Sequence, residues 1–293
     1  MIHGRSQGGK DPVQLRGAWV ETLRRGFARA ELPWLQDAIF DFPYYGDELD
    51  RLAAGARAMV SDDAIEQAMA EDPGFDAFLR QGLSEIGVGA GIAAAEIEAA
   101  GIGAGLDPAA ARKMGPQNWW WVRALARAID DRLTPMADFT IEAFLRDVYC
   151  YLRKPQVAAA IDAIVDAELR DAPTLVIGHS LGSVVAYRLL QRRRALRPLG
   201  FVTLGSPLGL RAVVGALGAP ENPAGRDGWF NAYDRRDIVA LNPLDDAHFP
   251  ADPEIVNHGD VDNPTPNRHG IVGYLDDVQV ARRVAAFARA AGV

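Results

Sequence analysis

Short apolar runs and helically periodic segments alternate through the C-terminal half of this chain. The apolar runs predict strands at Asp147–Leu152, Thr174–Ile177, Gly200–Leu204, Trp229–Tyr233 and Glu254–Val256. The periodic segments predict helices over Pro155–Leu169, from Leu181 to about Leu196, and over Asp277–Ala291. Strands that alternate with helices form mainly parallel sheets with helices on both faces, so we predict an α/β fold with a doubly wound sheet.

The N-terminal half divides into two parts. Residues 1 to about 10 resemble the end of a strand and a glycine loop, Val13–Arg29 predicts an amphipathic helix, and Ala38–Phe42 predicts a second strand. Residues 48–140 are alanine-rich and helical, and they are interrupted by glycine clusters and prolines without a strand pattern. We therefore predict an α/β core from 1–47 and 141–293, with 48–140 inserted as a helical cap or lid.

Composition narrows the possible partners and compartments. The chain has 293 residues, of which 49% are apolar, so one large domain, or one domain with a sizeable insertion, can bury a substantial core. A formal charge of −8 argues against a nucleic-acid partner and gives no support for attachment to anionic lipid. The single cysteine, Cys150, cannot form an internal disulfide, and we expect it to be a small buried hydrophobic residue.

The N-terminus shows no charged region followed by an apolar run, so no secretory signal is predicted. The longest stretch of low charge, Ile86–Leu106, is too polar for a membrane span. We therefore expect a cytoplasmic protein. The chain opens on what looks like the end of a strand, which is compatible with a natural start further upstream.

The chemistry of the chain centres on Gly178–Gly182, which reads G-x-S-x-G between a predicted strand and a predicted helix. Strand, tight turn and helix form the context of a nucleophile elbow, which places the hydroxyl of Ser180 above the edge of the sheet. Glycines allow the strand and the helix to approach closely around the cramped serine. The alternative interpretation is a glycine-rich turn with a solvated serine.

A serine nucleophile needs a base to accept its proton and a third group to orient that base. The chain has five histidines. In elbow-bearing folds the acid and then the histidine follow the serine along the chain, which excludes His3 and His179 as the base. We favour His269, because its loop follows the last predicted strand. His258 and His248 remain alternatives, and a loop histidine that serves only to contact water is the structural alternative.

The acid is expected in the turn after the strand at Trp229–Tyr233. We favour Asp237, because the Ile-Val pair that follows it would anchor the turn against the core, and Asp234 is the alternative. Either could instead be an ordinary acid paired with a neighbouring arginine.

The oxyanion of an acyl-transfer intermediate needs two fixed donors. We predict the N–H of Leu181 as one donor. Gly4 and the N–H of Arg5, in the loop after the opening strand, would supply the other. The alternative for His3 and Gly4 is a simple strand end.

With these residues in place, the chain resembles the α/β-hydrolase superfamily, in particular its serine lipase and esterase-like branches. The resemblance rests on Gly178–Ser183, Leu204–Leu208, Tyr233–Val239 and His269. It is also similar to the deacylase-type lipases, in which a histidine-glycine pair, here His3-Gly4, helps to form the oxyanion hole. The resemblance covers about the first 10 residues and 145–293. It implies acyl transfer to water by a Ser-Asp-His triad, with no metal or organic cofactor, and does not identify the acyl group.

These features predict a serine hydrolase of carboxylic esters that acts through an acyl-enzyme. Trp119–Trp121 in the predicted cap favours core packing, with an apolar binding wall or a membrane contact as alternatives, and an apolar lid suits a hydrophobic or lipid ester. A peptidase or thioesterase of the same fold, and a non-catalytic interaction protein, are the competing functions. Two further patterns are weak: Gly89–Ala94 as a nucleotide loop, and a metal site at His258, Asp260 and Asp262.

Overall fold

The computed structural model describes residues 1–57, 71–103, 119–132, 140–170 and 172–290, without the side chains of 53–57. Within these ranges it contains a sheet of four strands and eleven α-helices. The strands are β1 (Leu175–His179), β2 (Gly200–Leu204), β3 (Trp229–Ala232) and β4 (Val256–His258). The helices are α1 (Pro12–Arg29), α2 (Gly46–Arg57), α3 (Pro73–Gly89), α4 (Ala94–Gly103), α5 (Trp119–Arg132), α6 (Ile141–Arg153), α7 (Pro155–Glu168), α8 (Leu181–Arg192), α9 (Arg211–Leu217), α10 (Ile271–Leu275) and α11 (Val278–Ala290).

The sheet is entirely parallel, and its strands lie in the order of the chain, β1-β2-β3-β4. On the outer side of β1, Ile2 forms a parallel bridge with Gly178. In this bridge Ile2 donates its N–H to the oxygen of Ile177 at 2.8 Å, and His179 donates to the oxygen of Ile2 at 3.1 Å. The opening residues therefore join the edge of the sheet through this single bridge, and the carboxyl ends of the described strands meet at one edge of the sheet.

Alternate strand residues face two different cores. Val176, Phe201 and Trp229 belong to a core shared with helices α2, α3 and α5 to α9. Ile177, Val202 and Phe230 belong to a core shared with α1, α10 and α11. The structure confirms a mixed α/β fold with helices on both faces. The described strands follow one another in chain order, without the reversal of order that marks a doubly wound sheet. The crossover connections between them therefore lie on one face of the sheet, and the first and last helices cover the other face.

Two predicted strands are wrong. Residues 147–152 lie within helix α6, because the apolar side chains of Phe144, Leu145, Val148 and Leu152 recur at helical spacing and all face the core. The segment 38–42 has no regular secondary structure and joins no sheet ladder. Instead, the ring of Phe40 in this segment is stacked on the ring of Trp34.

Cys150 lies on α6 and is half-buried. Burial raises the pKa of its thiol to about 11, so the thiol keeps its proton. The residue therefore packs as a small hydrophobic group on a helix rather than in the strand that we predicted.

The described helices of the predicted cap share one core with a face of the sheet. Phe75, Leu79 and Leu83 of α3, together with Leu125 of α5, belong to the same cluster as Val176 of β1. The tryptophan run begins α5, where Trp119 and Trp121 pack against this cluster. Trp120 is partly exposed, and its ring lies 4.9 Å from the guanidinium carbon of Arg123. Gly89 ends α3, so the weak nucleotide pattern falls at a helix C-terminus rather than after a strand.

Gly182, in the first turn of α8, allows this helix to contact the opening segment. A Cβ at this position would overlap the carbonyl oxygens of Ile2 and His3. We expect Gly182→Ala to lower the free energy of unfolding by about 2 kcal/mol or more, because backbone atoms have to move to make room. Urea denaturation followed by circular dichroism measures the change.

Gly17→Ala is the matched control, because a Cβ at this position of α1 meets nothing within 4 Å. This change should raise the free energy of unfolding by about 0.5–1 kcal/mol through helix propensity. Equal effects of the two substitutions would contradict the close approach of α8 to the opening segment.

Candidate active site

Ser180 lies between β1 and α8 in a backbone conformation that non-glycine residues rarely adopt, with φ 54° and ψ −129°. Such a conformation costs roughly 1–3 kcal/mol and is found mostly at functional sites. Gly178, two residues before the serine, is required sterically, because a Cβ there would lie 2.7 Å from the Cα of Ser183. The strand, the sharp turn and the helix therefore form the elbow that the sequence pattern predicts, and its serine is 1% exposed.

A chain of hydrogen bonds joins Ser180 to two residues distant in sequence. Nε2 of His269 lies 2.8 Å from Oγ of Ser180, and Nδ1 of His269 lies 2.7 Å from Oδ2 of Asp237. The other carboxylate oxygen of Asp237 accepts the N–H of Val239 at 3.0 Å. Because Nδ1 donates to the carboxylate, Nε2 is left to accept the proton of the serine hydroxyl. This geometry can transfer a proton from the hydroxyl to the imidazole.

The parallel sheet brings these three residues together. Ser180 follows β1, Asp237 lies in the turn after β3, and His269 lies in the loop before α10. All three positions follow the carboxyl ends of strands, which meet at one edge. The preferred serine, acid and histidine of the sequence analysis are thus the ones that the structure brings into contact.

The alternative acid and bases have other partners. The carboxylate of Asp234 accepts hydrogen bonds from the side chain of Arg236 and from the N–H of Asn263. Burial would raise the pKa of Asp234, but these hydrogen bonds hold it below its usual value. His258 lies 3.4 Å from Asp277, and Nδ1 of His248 lies 2.8 Å from Asp245. Asp234 therefore shapes the turn that holds Asp237.

His179 has a position that sequence reasoning missed. Its Nε2–H donates to the backbone oxygen of His269 at 2.8 Å, and the centres of the two rings lie 4.9 Å apart. Burial, and then the proximity of His269, lowers the pKa of His179 well below its usual value, so the ring is neutral. Its place in the pentapeptide, beside the serine at a strand end, was the only available signal. Through this hydrogen bond, His179 holds the loop that carries His269 in place.

Leu181 and Gly4, which were predicted to belong to the oxyanion site, both lie beside Ser180. Leu181 is the first residue of α8, and the N–H groups of a first helical turn have no partner inside the helix. Gly4 is so close to the serine that a Cβ there would lie 2.9 Å from the Cβ of Ser180. The opening loop therefore contacts the serine directly.

His3 determines the orientation of the peptide between Gly4 and Arg5. Nδ1–H of His3 donates to the oxygen of Gly4 at 2.7 Å, and Nε2 accepts the N–H of Tyr45 at 3.1 Å. Because the C=O and N–H of a trans peptide point in opposite directions, the N–H of Arg5 is directed away from the ring of His3. The side chain of Arg5 forms a buried ion pair with Asp147 of α6 at 2.7 Å.

Comparisons of the chain with models of protein families, with curated proteins and with solved structures found no match. In the described part of the chain, no group of three or more His, Cys, Asp or Glu side chains is placed to hold a metal ion. Asp262, which we considered as a metal ligand, accepts a hydrogen bond from Arg236 at 2.6 Å. Among the helices that the structure describes, none is long and apolar enough to cross a membrane.

The buried His3 makes stability depend on pH. Burial lowers its pKa from 6.5 to about 4, so the unfolded chain binds this proton at a higher pH than the folded chain. The stability that the neutral ring supplies is complete above pH 6.5 and is lost as the pH falls towards 4. The substitution His3→Asn keeps a donor near Nδ1 but does not titrate. We expect the free energy of unfolding of this variant to fall by about 3 kcal/mol less than that of the parent as the pH is lowered from 7 to 4.

Urea denaturation of both chains at several pH values measures this difference. The comparison has to be between the two chains, because other buried groups titrate in the same range. Burial raises the pKa of Glu142 to about 7 and that of Asp130 to about 6, which adds stability as the pH falls. Parallel stability curves for the two chains would refute a neutral, buried His3.

Proposed function

We propose that this protein is a serine hydrolase with an α/β-hydrolase fold, which cleaves a carboxylic ester through an acyl-enzyme intermediate. One observation carries the proposal: Ser180, His269 and Asp237 form a continuous hydrogen-bonded relay with distances of 2.8 and 2.7 Å. The strained elbow between a parallel strand and a helix supports it, because such a turn presents a serine hydroxyl to a substrate.

The relay explains how a serine hydroxyl becomes a nucleophile near neutral pH. Oγ of Ser180 attacks the carbonyl carbon of the ester, and its proton passes to Nε2 of His269. The carboxylate of Asp237 stabilises the imidazolium through Nδ1. The imidazolium then donates the proton to the leaving alkoxide, which departs as the alcohol. A water molecule releases the acyl group by the same steps in reverse, and Ser180 regains its proton.

The negative charge on the carbonyl oxygen is stabilised by two backbone donors. The N–H of Leu181 acts from the start of α8, where the helix dipole also favours an anion. The N–H of Arg5 acts from the opening loop, since His3 holds the preceding carbonyl in the opposite direction. The ion pair of Arg5 with Asp147 keeps its side chain on α6 and leaves this role to its backbone.

The surroundings favour a hydrophobic acyl group, from a small-molecule or a lipid ester. Phe144 of α6 is fully buried and forms a T-shaped pair with the ring of His269, with ring centres 6.4 Å apart. Ser180 and His269 are 1% and 7% exposed, so a substrate has to leave water to reach them. Apolar chains gain free energy on such a transfer, whereas charged groups lose much of their hydration.

Removal of the nucleophile tests the proposal directly. Ser180→Ala should abolish hydrolysis of p-nitrophenyl esters of short and long chains, and also labelling by a fluorophosphonate probe. His269→Gln should have a similar effect on turnover, because no other described base contacts Oγ. His248→Gln is the matched control, since this residue pairs with Asp245, and it should retain activity. Equal turnover by the parent and Ser180→Ala would exclude a role for Ser180, and an unlabelled parent would favour a non-catalytic protein.

The acid is tested by a pair of substitutions. Asp237→Asn should lower kcat by about a thousandfold or more, because the amide can donate to Nδ1 and favour the wrong tautomer of the imidazole. Asp234→Asn should reduce stability while keeping most of the activity. The reverse order of the two activities would assign the relay to Asp234.

The substrate class is tested by a panel of ester, thioester and amide substrates that share the same acyl group. We expect esters to have the highest kcat/KM, and we expect kcat/KM to rise with chain length. Faster turnover of the thioester or the amide would redefine the enzyme as a thioesterase or a peptidase.

A further inference from the structure

Tyr274 contacts the relay from the side opposite to Ser180, and the mechanism above does not use it. Its hydroxyl donates to Oδ2 of Asp237 at 2.6 Å, the same oxygen that accepts Nδ1–H of His269. The side chain is fully buried. The carboxylate oxygen of Asp237 is therefore shared between two donors.

The direction of this hydrogen bond follows from the other partner of the hydroxyl. The N–H of Asp234 donates to the oxygen of Tyr274 at 3.2 Å. A hydroxyl that accepts a backbone N–H has its own hydrogen left for the carboxylate. Burial, and then the charge of Asp237, raises the pKa of Tyr274 well above its usual range, so the hydroxyl keeps its proton.

The surrounding backbone is shaped for this contact. Gly205 has a left-handed φ of 54°, and a Cβ there would lie 2.9 Å from the ring of Tyr274 and 3.1 Å from Oδ2 of Asp237. This glycine belongs to the segment Leu204–Leu208, which the sequence analysis singled out without assigning a role. The absence of a side chain at 205 is what lets the tyrosine and the carboxylate approach each other.

We propose that Tyr274 is a positioning residue of the relay, which fixes the carboxylate of Asp237 and weakens its pull on the proton of His269. The inference rests on the proposed function of Ser180, His269 and Asp237. A donor that binds a carboxylate draws part of its negative charge away from a second donor. The imidazolium is then stabilised enough to form during the reaction, but it releases its proton readily to the leaving group.

Four described titratable groups lie around His269 or behind its partners. Asp237 contacts its Nδ1, and Tyr274 acts on it through that carboxylate. The neutral ring of His179 lies beside it. Asp234 lies behind Tyr274 and is neutralised by its ion pair with Arg236. Of these groups, only Tyr274 can be altered by the loss of one hydroxyl without a change of net charge.

Tyr274→Phe tests the inference. Without the hydroxyl, Asp237 attracts the imidazolium proton more strongly, so the acid limb of the kcat/KM profile should move to higher pH by about half a unit or more. At the pH optimum, kcat should fall about tenfold, because the carboxylate loses one of its fixed donors, while KM stays within about twofold.

Tyr151→Phe is the matched control. Tyr151 is also fully buried, and its hydroxyl donates to Asp162 at 2.8 Å on helices α6 and α7, outside the relay. Both substitutions should lower the melting temperature to a similar extent, but only Tyr274→Phe should move the acid limb. A shift in both variants, or in neither, would overturn the positioning role of Tyr274.

A second measurement does not depend on turnover. The imidazole of His269 can be titrated by NMR in the parent and in Tyr274→Phe, with His269→Gln used to assign its resonance. The resonance should titrate at higher pH in Tyr274→Phe, and coincident curves in a folded variant would overturn the inference. If the parent shows no turnover that depends on Ser180, the proposed function fails, but the effect of Tyr274 on the imidazole is still measured.

Discussion

This molecule depends on close contacts between backbone segments at glycines, which have no Cβ. Gly178 and Gly182 let α8 pack against β1 and the opening segment, and Gly4 lets the opening loop touch Ser180. Gly205 does the same for Asp237 and its neighbours. Glycine has a cost in chain entropy, so four such contacts around one serine indicate that the fold gives up stability to hold this geometry.

The charge states of the groups at the carboxyl edge of the sheet follow from the same close packing. Two imidazoles, His3 and His179, are held neutral by burial, and each donates one N–H to a backbone oxygen of a loop. Asp237 is the buried carboxylate that contacts His269, so its charge acts on that ring at a distance of 2.7 Å. Neutral histidines can donate these hydrogen bonds in the buried interior, where a charged side chain would pay for the loss of its hydration.

Much of the candidate site could be predicted from the sequence, because its signals are local. The strand and glycine pattern around Ser180, the turn after β3 and the loop of His269 can each be recognised within about ten residues. Helix α6 was mistaken for a strand because a short apolar run fits both periods. The contacts of His179 and Tyr274 depend on segments that meet only in the fold, so no pattern along the chain reveals them. The family resemblance drew attention to His3 and Gly4, but the hydrogen bond from the N–H of Tyr45 to His3 is visible only in the fold.

Helix α6 links parts of the molecule that a mobile lid would have to separate. It carries Asp147, which is paired with Arg5, and Phe144, which lies beside His269, and it packs against α3 through Leu145 and Gly82. Swinging this helix outward would break a buried ion pair at a cost of several kcal/mol. Helix α6 therefore works as a fixed wall beside His269, and access to the relay cannot depend on its outward movement.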